Sequence, residues 1–218
     1  MANLRSTRTY LDNNGLYLSI SHAFRIAWIR INSSMIARQF GLGRVTIEPP
    51  FVLNGRRFIK LGEGFASGPG LWLEAISRYN EASFEPRIIV GRNVSLSHSV
   101  HIAATTYVEI GADVLIGSRV LITDHNHGSY SGAEQSSPLH PPLRRPLEQG
   151  RKTIVGARVW LGDGVVVTAG AIIGDGAVIG ANSVVVGVIP GNSLAAGAPA
   201  SVIRTYDEQS GQWLRSHA

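Results

Sequence analysis

A repeat of six residues governs most of the chain between residues 90 and 185. A branched aliphatic residue recurs at every sixth position, and a small residue, often Gly, follows it. The leading residues of the first run are Val90, Leu96, Ile102, Ile110, Ile116 and Ile122. Those of the second run are Val155, Leu161, Val167, Ile173, Ile179 and Val185. The first run slips by two residues between Ala103 and Glu109, whereas the second keeps its phase throughout.

A period of six fits neither an α-helix nor a simple alternating strand. It fits a triangular coil in which every six residues supply one short strand and one tight corner, with the leading aliphatic side chain pointing inward. A single coil cannot bury its own interior, so successive coils must stack and pair their strands in parallel. The repeat therefore predicts a mainly β protein, a parallel β-helix over residues 45–204 with degenerate early rungs at 45–73. The spacing alone leaves its handedness open.

Residues 1–44 form a separate N-terminal segment with a helical pattern. Apolar residues recur three or four positions apart, as on one face of a helix, at Leu16, Ile20, Phe24, Ala27, Ile31 and Met35. We expect this helix to cap the open end of the prism through that face. A second interpretation is a peripheral contact of residues 16–40 with a membrane, aided by Arg25, Arg30 and Arg38. Residues 205–218 are predicted to be a C-terminal tail.

Composition narrows the functional classes. The absence of Cys excludes disulfides, thiolate metal sites and a Cys nucleophile. No apolar run reaches the length of a membrane span, and the start lacks the pattern of a signal peptide, so we expect a cytoplasmic protein. The net charge is +5, but no nucleic-acid motif accompanies it, so no nucleic-acid partner is expected.

The regular pattern stops at ITDHNHGSY, and residues 126–152 contain four prolines and no rung. Long insertions of this kind in compact domains are often functional. His125 is the last residue before this predicted loop, and a neutral imidazole accepts protons near neutral pH. We therefore take His125, at the boundary of the loop, and His127 as candidate acid–base groups, with Asp124 as a candidate supporting group that orients one of the rings. The alternative is that both histidines are ordinary polar loop residues.

These motifs carry a resemblance to a known family. ITDHNHGSY, the loop and the run from VGARVW to IPGNSLAAGAPASVIR resemble the hexapeptide-repeat sugar O-acetyltransferases, over roughly residues 88–204. The resemblance covers galactoside and maltose acetyltransferases and is closer still to the colanic-acid type of exopolysaccharide clusters. It implies a left-handed β-helix, acetyl-CoA as cosubstrate and a sugar acceptor in surface polysaccharide biosynthesis, free or lipid-linked. It also implies a homotrimer with active sites between neighbouring copies, and no metal. If the N-terminal helix attaches to a membrane, the protein would lie at the inner face of that membrane.

The resemblance also assigns roles to residues. His125 would take a proton from the acceptor hydroxyl, which attacks the thioester directly, while a backbone N–H near Gly162 and Asp163 stabilises the oxyanion. The implied coenzyme A contacts are Trp160, Asp163, Ala181, Val186, Ser201 and Arg204, with Trp160 also beside the transfer site. The implied acceptor-binding residues are Ser95, Ser97 and His98. Two positions depart from the family, which often has Ser or Asn at position 163 and a basic residue at position 201.

Other functions on the same scaffold remain open at this point. One is N-acetylation of an amino sugar, and another is a non-catalytic module that binds through its flat faces. A zinc hydratase resembling the γ-class carbonic anhydrases would draw its ligands from His98, His101, His125 and His127. Their spacing does not match that family, and serine-directed acetyltransferases carry a larger N-terminal domain than the 45 residues available here.

Overall fold

The computed structural model describes residues 7–148 and 150–216. A long helix, α1 (Thr7–Phe40), leads into a three-sided prism of short strands, and its helical backbone is interrupted at Gly15, where φ is 75° and ψ is 172°. Residues 1–6, 149 and 217–218, which belong to the predicted terminal segments and loop, lie outside the described residues.

Three sheets form the three faces of the prism, with strands numbered in chain order. Face A contains β1 (Val45–Ile47), β4 (Phe65–Ser67), β9 (Ser95–Leu96), β12 (Leu115–Ile116), β15 (Trp160–Leu161), β18 (Val178–Ile179), β21 (Ser193–Gly197), β22 (Ala200–Asp207) and β23 (Gln212–Arg215). Face B contains β2 (Phe51–Asn54), β5 (Leu71–Ala75), β10 (His101–Ala104), β13 (Leu121–Thr123), β16 (Val166–Val167) and β19 (Val184–Val185). Face C contains β3 (Ile59–Lys60), β8 (Ile88–Val90), β11 (Tyr107–Ile110), β14 (Lys152–Val155), β17 (Ile172–Ile173) and β20 (Val188–Ile189).

Within each face the strands pair in parallel, and only the last two strands of face A pair antiparallel. Each coil passes from face A to B to C, so the prism has an A–B edge, a B–C edge and a C–A edge. Short 3-10 turns lie at Arg56–Phe58 and Pro142–Arg144, and a small hairpin, β6 (Arg78–Tyr79) and β7 (Ala82–Ser83), projects from the coil after β5.

The interior of the prism consists of the residues that define the repeat. Ile102 pairs with Ile122, and Val167 pairs with Val185 in the same face, so the leading side chains stack directly on one another. All four are fully buried. Burial of such a side chain contributes about 1.5–3 kcal/mol, and the stack continues along the whole prism. The predicted parallel β-helix is thus confirmed.

Glycines line the C–A edge in a continuous column. The column contains Gly62, Gly91, Gly111, Gly156, Gly174 and Gly191. A Cβ built on Gly111 would lie 2.5 Å from the backbone nitrogen of Ala157, closer than real side chains approach. Adjacent coils therefore touch through their backbones at this edge, which explains why the small residue after the leading aliphatic is so often Gly.

Helix α1 covers the first coil, but the prediction of the face that it uses is wrong. The face that packs on the prism contains Ile29, Ser33, Ile36 and Ala37, whereas Phe24 on the predicted face is 74% exposed. The hydroxyl of Ser33 accepts the backbone N–H of Ile47 at 3.0 Å, so it satisfies the open edge of β1. Small and hydroxyl-bearing side chains permit this close approach, and bulkier aromatic side chains do not.

The C-terminal residues continue face A. Strand β22 runs across the predicted boundary at residue 204, and β23 pairs with it, so described residues 205–216 extend the sheet instead of forming a detached tail. The predicted loop lies between β13 and β14, and within its described residues an isolated bridge joins His127 to Leu147.

Candidate active site

The slip in the repeat lies at the B–C edge, where three backbone N–H groups point toward the side-chain carboxylate of Asp124. Thr105 and Thr106 connect β10 and β11 in the rung that is two residues longer than the repeat. The backbone N–H groups of Thr105, Thr106 and Tyr107 donate to the carboxylate of Asp124 at 2.9, 2.7 and 2.6 Å. Burial alone would raise the pKa of Asp124, but the hydrogen bonds from His125 and from these three N–H groups outweigh it and leave the pKa lowered. Asp124 is therefore a buried anion.

The imidazole of His125 lies against this anion. Its Nδ1 is 2.9 Å from Oδ1 of Asp124 and 3.1 Å from Oγ1 of Thr123, and its side chain is 10% exposed. Because an ionised carboxylate can only accept, the hydrogen-bond network assigns the proton to Nδ1 and leaves the lone pair on Nε2. This is the arrangement that a general base requires.

A second imidazole, His127, is held in a different way. Its Nδ1 is 3.2 Å from the hydroxyl oxygen of Tyr79, and the two rings meet edge to face with centroids 5.4 Å apart. The hydroxyl of Tyr79 donates to the carbonyl of Leu143 at 2.8 Å, so its oxygen is left to accept from His127. The side chain of His127 is exposed, and a neutral phenol supports it where a buried carboxylate supports His125.

Trp72 and Glu74 on face B escaped the sequence analysis, and His101, considered there only as a zinc ligand, lies with them. The Trp72 ring, 42% exposed, stacks on His101 with centroids 4.2 Å apart, and Nε2 of His101 is 3.7 Å from a carboxylate oxygen of Glu74. Burial lowers the pKa of His101, with Glu74 opposing that effect and a charged His125 adding to it. Strand register could have revealed this pairing, since Trp72, His101 and Leu121 align in one column of face B. The irregular segment after β5 breaks the repeat, so the register could not be counted from the sequence.

The other predicted residues are grouped on other surfaces. The A–B edge carries Ser97, His98, Gly162, Asp163 and Ala181, and face A carries Ser95, Trp160, Ser201 and Arg204. Within one chain, the structure thus places the predicted acceptor residues beside the predicted coenzyme residues, while His125 lies on the B–C edge. Val186, 61% exposed after β19, shares that edge with His125.

Comparison with known proteins identifies the family. A family model described as bacterial transferase hexapeptide (six repeats) matches residues 152–187. Over 187 residues the chain is 42% identical to WbbJ of Escherichia coli K12, which is named as a lipopolysaccharide biosynthesis O-acetyl transferase, and the match covers 85% of this chain and 91% of WbbJ. The chain belongs to the hexapeptide-repeat O-acetyltransferase family. The predicted family and the predicted enzyme class, an acyltransferase, are confirmed.

Two further members of this comparison are informative. The galactoside O-acetyltransferase of Escherichia coli K12 is 35% identical over 149 residues, 67% of each chain. The solved structure of AntD, an N-acyltransferase from Bacillus cereus in complex with dTDP and 3-hydroxybutyryl-CoA, has a TM-score of 0.63 at 16% identity and covers 82% of this chain and 90% of AntD. This likeness supports the fold alone, which is the left-handed β-helix that the resemblance implied.

Two residues with roles implied by the family, Gly162 and Asp163, make hydrogen bonds within the prism. The N–H of Gly162 donates to the carbonyl of Ile179 at 2.8 Å, so this N–H is already used within the chain, and an oxyanion donor near Gly162 and Asp163 stays a prediction. The carboxylate of Asp163 accepts the backbone N–H of Ser118 at 2.7 Å, which gives this departure from the family a role between rungs.

On face A the guanidinium of Arg204 donates to the carbonyl of Trp213 at 3.1 Å, so it is tied to the C-terminal hairpin. The four histidines of the zinc alternative are spread around the coil, with His98 on the A–B edge, His101 at the start of β10 on face B, and His125 and His127 after β13 at the B–C edge. Within residues 7–148 and 150–216, no group of three or more His, Cys, Asp or Glu side chains is arranged to hold a metal ion.

Proposed function

We propose that the protein transfers the acetyl group of acetyl-CoA to a hydroxyl group of a sugar that is built into a surface polysaccharide. The similarity to WbbJ and to galactoside O-acetyltransferase supports this substrate class. The observation that carries the chemistry is the 2.9 Å contact of His125 Nδ1 with the buried Asp124, because it leaves Nε2 as an oriented base.

In the proposed reaction, Nε2 of His125 takes the proton of the acceptor hydroxyl as its oxygen attacks the thioester carbonyl carbon. The buried carboxylate of Asp124 stabilises the imidazolium that forms, as in other His–carboxylate pairs. The tetrahedral intermediate collapses, the C–S bond breaks, and the imidazolium returns its proton to the coenzyme A sulfur. The products are the O-acetylated sugar and free coenzyme A. No acyl-enzyme is needed, and the chain contains no Cys to form a thioester.

Face B offers a surface for the acceptor next to this base. The stacked pair of Trp72 and His101 forms a flat aromatic surface, and Glu74 supplies a carboxylate beside it. A sugar ring has apolar C–H faces and hydroxyl groups at its rim, and sites for such ligands combine an aromatic wall with a few polar groups. We propose that the acceptor ring lies on Trp72.

The grouping of residues on two edges favours a shared site. We propose that three copies assemble around a threefold axis, so that the B–C edge of one copy faces the A–B edge of its neighbour. Coenzyme A would then lie between the two copies, beside Trp160 and Ala181 of one and His125 of the other. We also propose that the enzyme works on the cytoplasmic side, at the inner face of the membrane, where residues 16–40 attach.

Thiol release from acetyl-CoA tests this function with a panel of nucleotide-linked and lipid-linked sugars. His125→Ala should lower kcat about 10²- to 10⁴-fold, the usual contribution of a general base, while binding of coenzyme A measured by calorimetry stays intact. His127→Ala is the matched control and should stay within about tenfold of wild type, below the range expected for loss of a general base.

Three outcomes would contradict the proposal in different ways. Loss of turnover in His127→Ala with retention in His125→Ala would move the base to His127. Preferential acetylation of an amino sugar on nitrogen would favour the N-acetyltransferase alternative. Thiol release that neither variant changes would remove the imidazole from the mechanism.

A further inference from the structure

Helix α1 carries a second apolar face that no part of the described chain covers. We call this face the outer stripe, which consists of Tyr17, Ile20, Phe24, Ala27, Trp28, Ile31 and Met35. These positions recur three or four residues apart and lie on the side of α1 opposite to the packed face. Tyr17 is 82% exposed, Phe24 74% and Trp28 57%. Single exposed apolar residues are ordinary, but a contiguous row of large ones marks an interaction surface.

An arginine-lined groove runs beside the outer stripe. It has a volume of about 380 Å³ between α1 and β1, and Arg30, Arg38 and Arg44 contribute its cationic groups. None of these three guanidinium groups makes an ion pair or a side-chain hydrogen bond with another described residue, whereas Arg25 on the opposite flank of α1 pairs with Glu48. The groove therefore holds three guanidinium groups without an ion-pair partner next to an apolar surface. A carboxylate, that of Glu63, also contacts its lining, where it accepts the backbone N–H of Gly43 at 3.0 Å.

We propose that α1 lies in the headgroup region of an anionic bilayer, with the outer stripe at the acyl boundary and the arginine groove bound to lipid phosphate. The inference rests on the membrane contact within the proposed function and names its ligand. Interfacial helices combine an apolar face rich in aromatic residues with basic residues on the polar side. A guanidinium group can bind a phosphate through two parallel N–H···O hydrogen bonds, so a groove with three guanidinium groups suits a phosphate headgroup.

The charges on α1 favour a lipid surface over a second copy of the chain. From residue 12 to residue 40 the helix contains one carboxylate, Asp12, against three arginines. Two such helices face to face would bring like charges together, whereas an anionic membrane neutralises them. In the described part of the chain, no helix is both long enough and apolar enough to cross a bilayer. The inferred contact lies on the membrane surface.

Cosedimentation of the full chain with vesicles tests this site. Vesicles of equal parts phosphatidylcholine and phosphatidylglycerol should bind the protein, vesicles of phosphatidylcholine alone should bind it much less, and added salt should weaken the binding. The triple variant Arg30→Gln, Arg38→Gln and Arg44→Gln should lower binding roughly fivefold per arginine, about a hundredfold in total. Phe24→Ser with Ile31→Ser should lower binding to both kinds of vesicle.

A second groove provides a matched control. Arg57, Lys60 and Arg87 line a cavity of about 400 Å³ that also contains Glu85, so their change to Gln removes the same charge at another place. This control should bind vesicles nearly as wild type does. An equal loss of binding in the two triple variants would contradict the assignment of the arginine groove as the lipid site. Dissociation of the free protein into smaller species by the stripe variant, with vesicle binding unchanged, would make the stripe an interface between copies and also overturn the proposal.

The catalytic variant separates this inference from the proposed chemistry. His125→Ala should lose transfer and still bind anionic vesicles as wild type does. If it fails to lose transfer, the proposed base is wrong and the lipid site stands. If wild type fails to bind anionic vesicles, the lipid site is wrong and the chemistry stands.

Discussion

Oδ1 of Asp124 lies 2.9 Å from Nδ1 of His125, and the same carboxylate closes the slip in the repeat by accepting three backbone N–H groups. One buried anion thus stabilises an irregular corner of the prism and orients the candidate base. Asp124 belongs to both the fold and the proposed site, so its variants should change both stability and activity.

Asp124→Asn should lower the free energy of unfolding by about 3 kcal/mol, since breaking a buried charged pair typically costs 3–5 kcal/mol. Asn offers one acceptor oxygen and an N–H₂ group that would face backbone donors. Urea denaturation measures the loss. The same variant should lower kcat, because the neutral amide cannot stabilise an imidazolium at His125 as the carboxylate does. Unchanged stability would contradict the role of Asp124 at the slip.

The contribution of Asp124 should also depend on pH. Its pKa in the folded protein lies below the ordinary value of 3.8, so the unfolded chain takes up the proton first as pH falls. The stability difference between wild type and Asp124→Asn should be full above pH 3.8 and should shrink as pH falls through the lower folded value. His101 is present in both proteins, so its own titration largely cancels. A difference that grows on acidification would give the opposite sign and refute the assignment.

Gly111→Ala should destabilise the prism, because the new Cβ would lie 2.5 Å from the backbone nitrogen of Ala157. Overpacking of this kind costs about 1–3 kcal/mol. Gly187→Ala is the control, since its Cβ would have no heavy atom within 4 Å, and its effect should stay within about 0.5 kcal/mol. Thermal unfolding compares the two. Equal effects would show that the coils do not touch through their backbones at the C–A edge.

Asp163→Ala should cost about 1 kcal/mol, the usual contribution of a hydrogen bond, because Ser118 loses the acceptor for its N–H. Asp163→Asn retains a carbonyl oxygen for that bond and should be nearly as stable as wild type. Denaturation midpoints test the pair. A tenfold rise (about 1.4 kcal/mol) in KM for acetyl-CoA in a fully stable Asp163→Asn would instead assign the carboxylate to the coenzyme.

The proposed trimer predicts that two inactive variants restore activity when they assemble together. His125→Ala disables the B–C edge, and Ala181→Trp fills the exposed A–B edge, so neither homotrimer should turn over. In mixed trimers, roughly a quarter of the sites would combine two intact edges by random assortment. Thiol release from co-expressed protein measures the recovery. No recovery from well-folded mixed trimers would place the whole site within one chain.

The interior and the edges of the prism could be predicted from sequence because each six-residue rung is a local unit. The inward direction of Ile122 and Val167 follows from the six-residue period. The loop after His125 could be predicted because the period stops there. The adjacent Asp124 and His125 could also be recognised, since their chemistry is contiguous in the chain. That the N–H of Gly162 bonds to the carbonyl of Ile179 could not be predicted, because nothing in the sequence shows which N–H groups pair between neighbouring parallel strands.

Only the tertiary structure showed which face of α1 packs on the prism and which side chains meet on face B. Helix α1 has two apolar faces, and the one that packs was selected by the open edge of β1, which Ser33 can satisfy and Phe24 cannot. Trp72 came beside His101 through register across an irregular excursion. The sequence by itself determined the repeating unit and the residues able to do chemistry, because both are local. The packed face and the division of the candidate residues between two edges required three dimensions, because they depend on backbone groups distant in the chain.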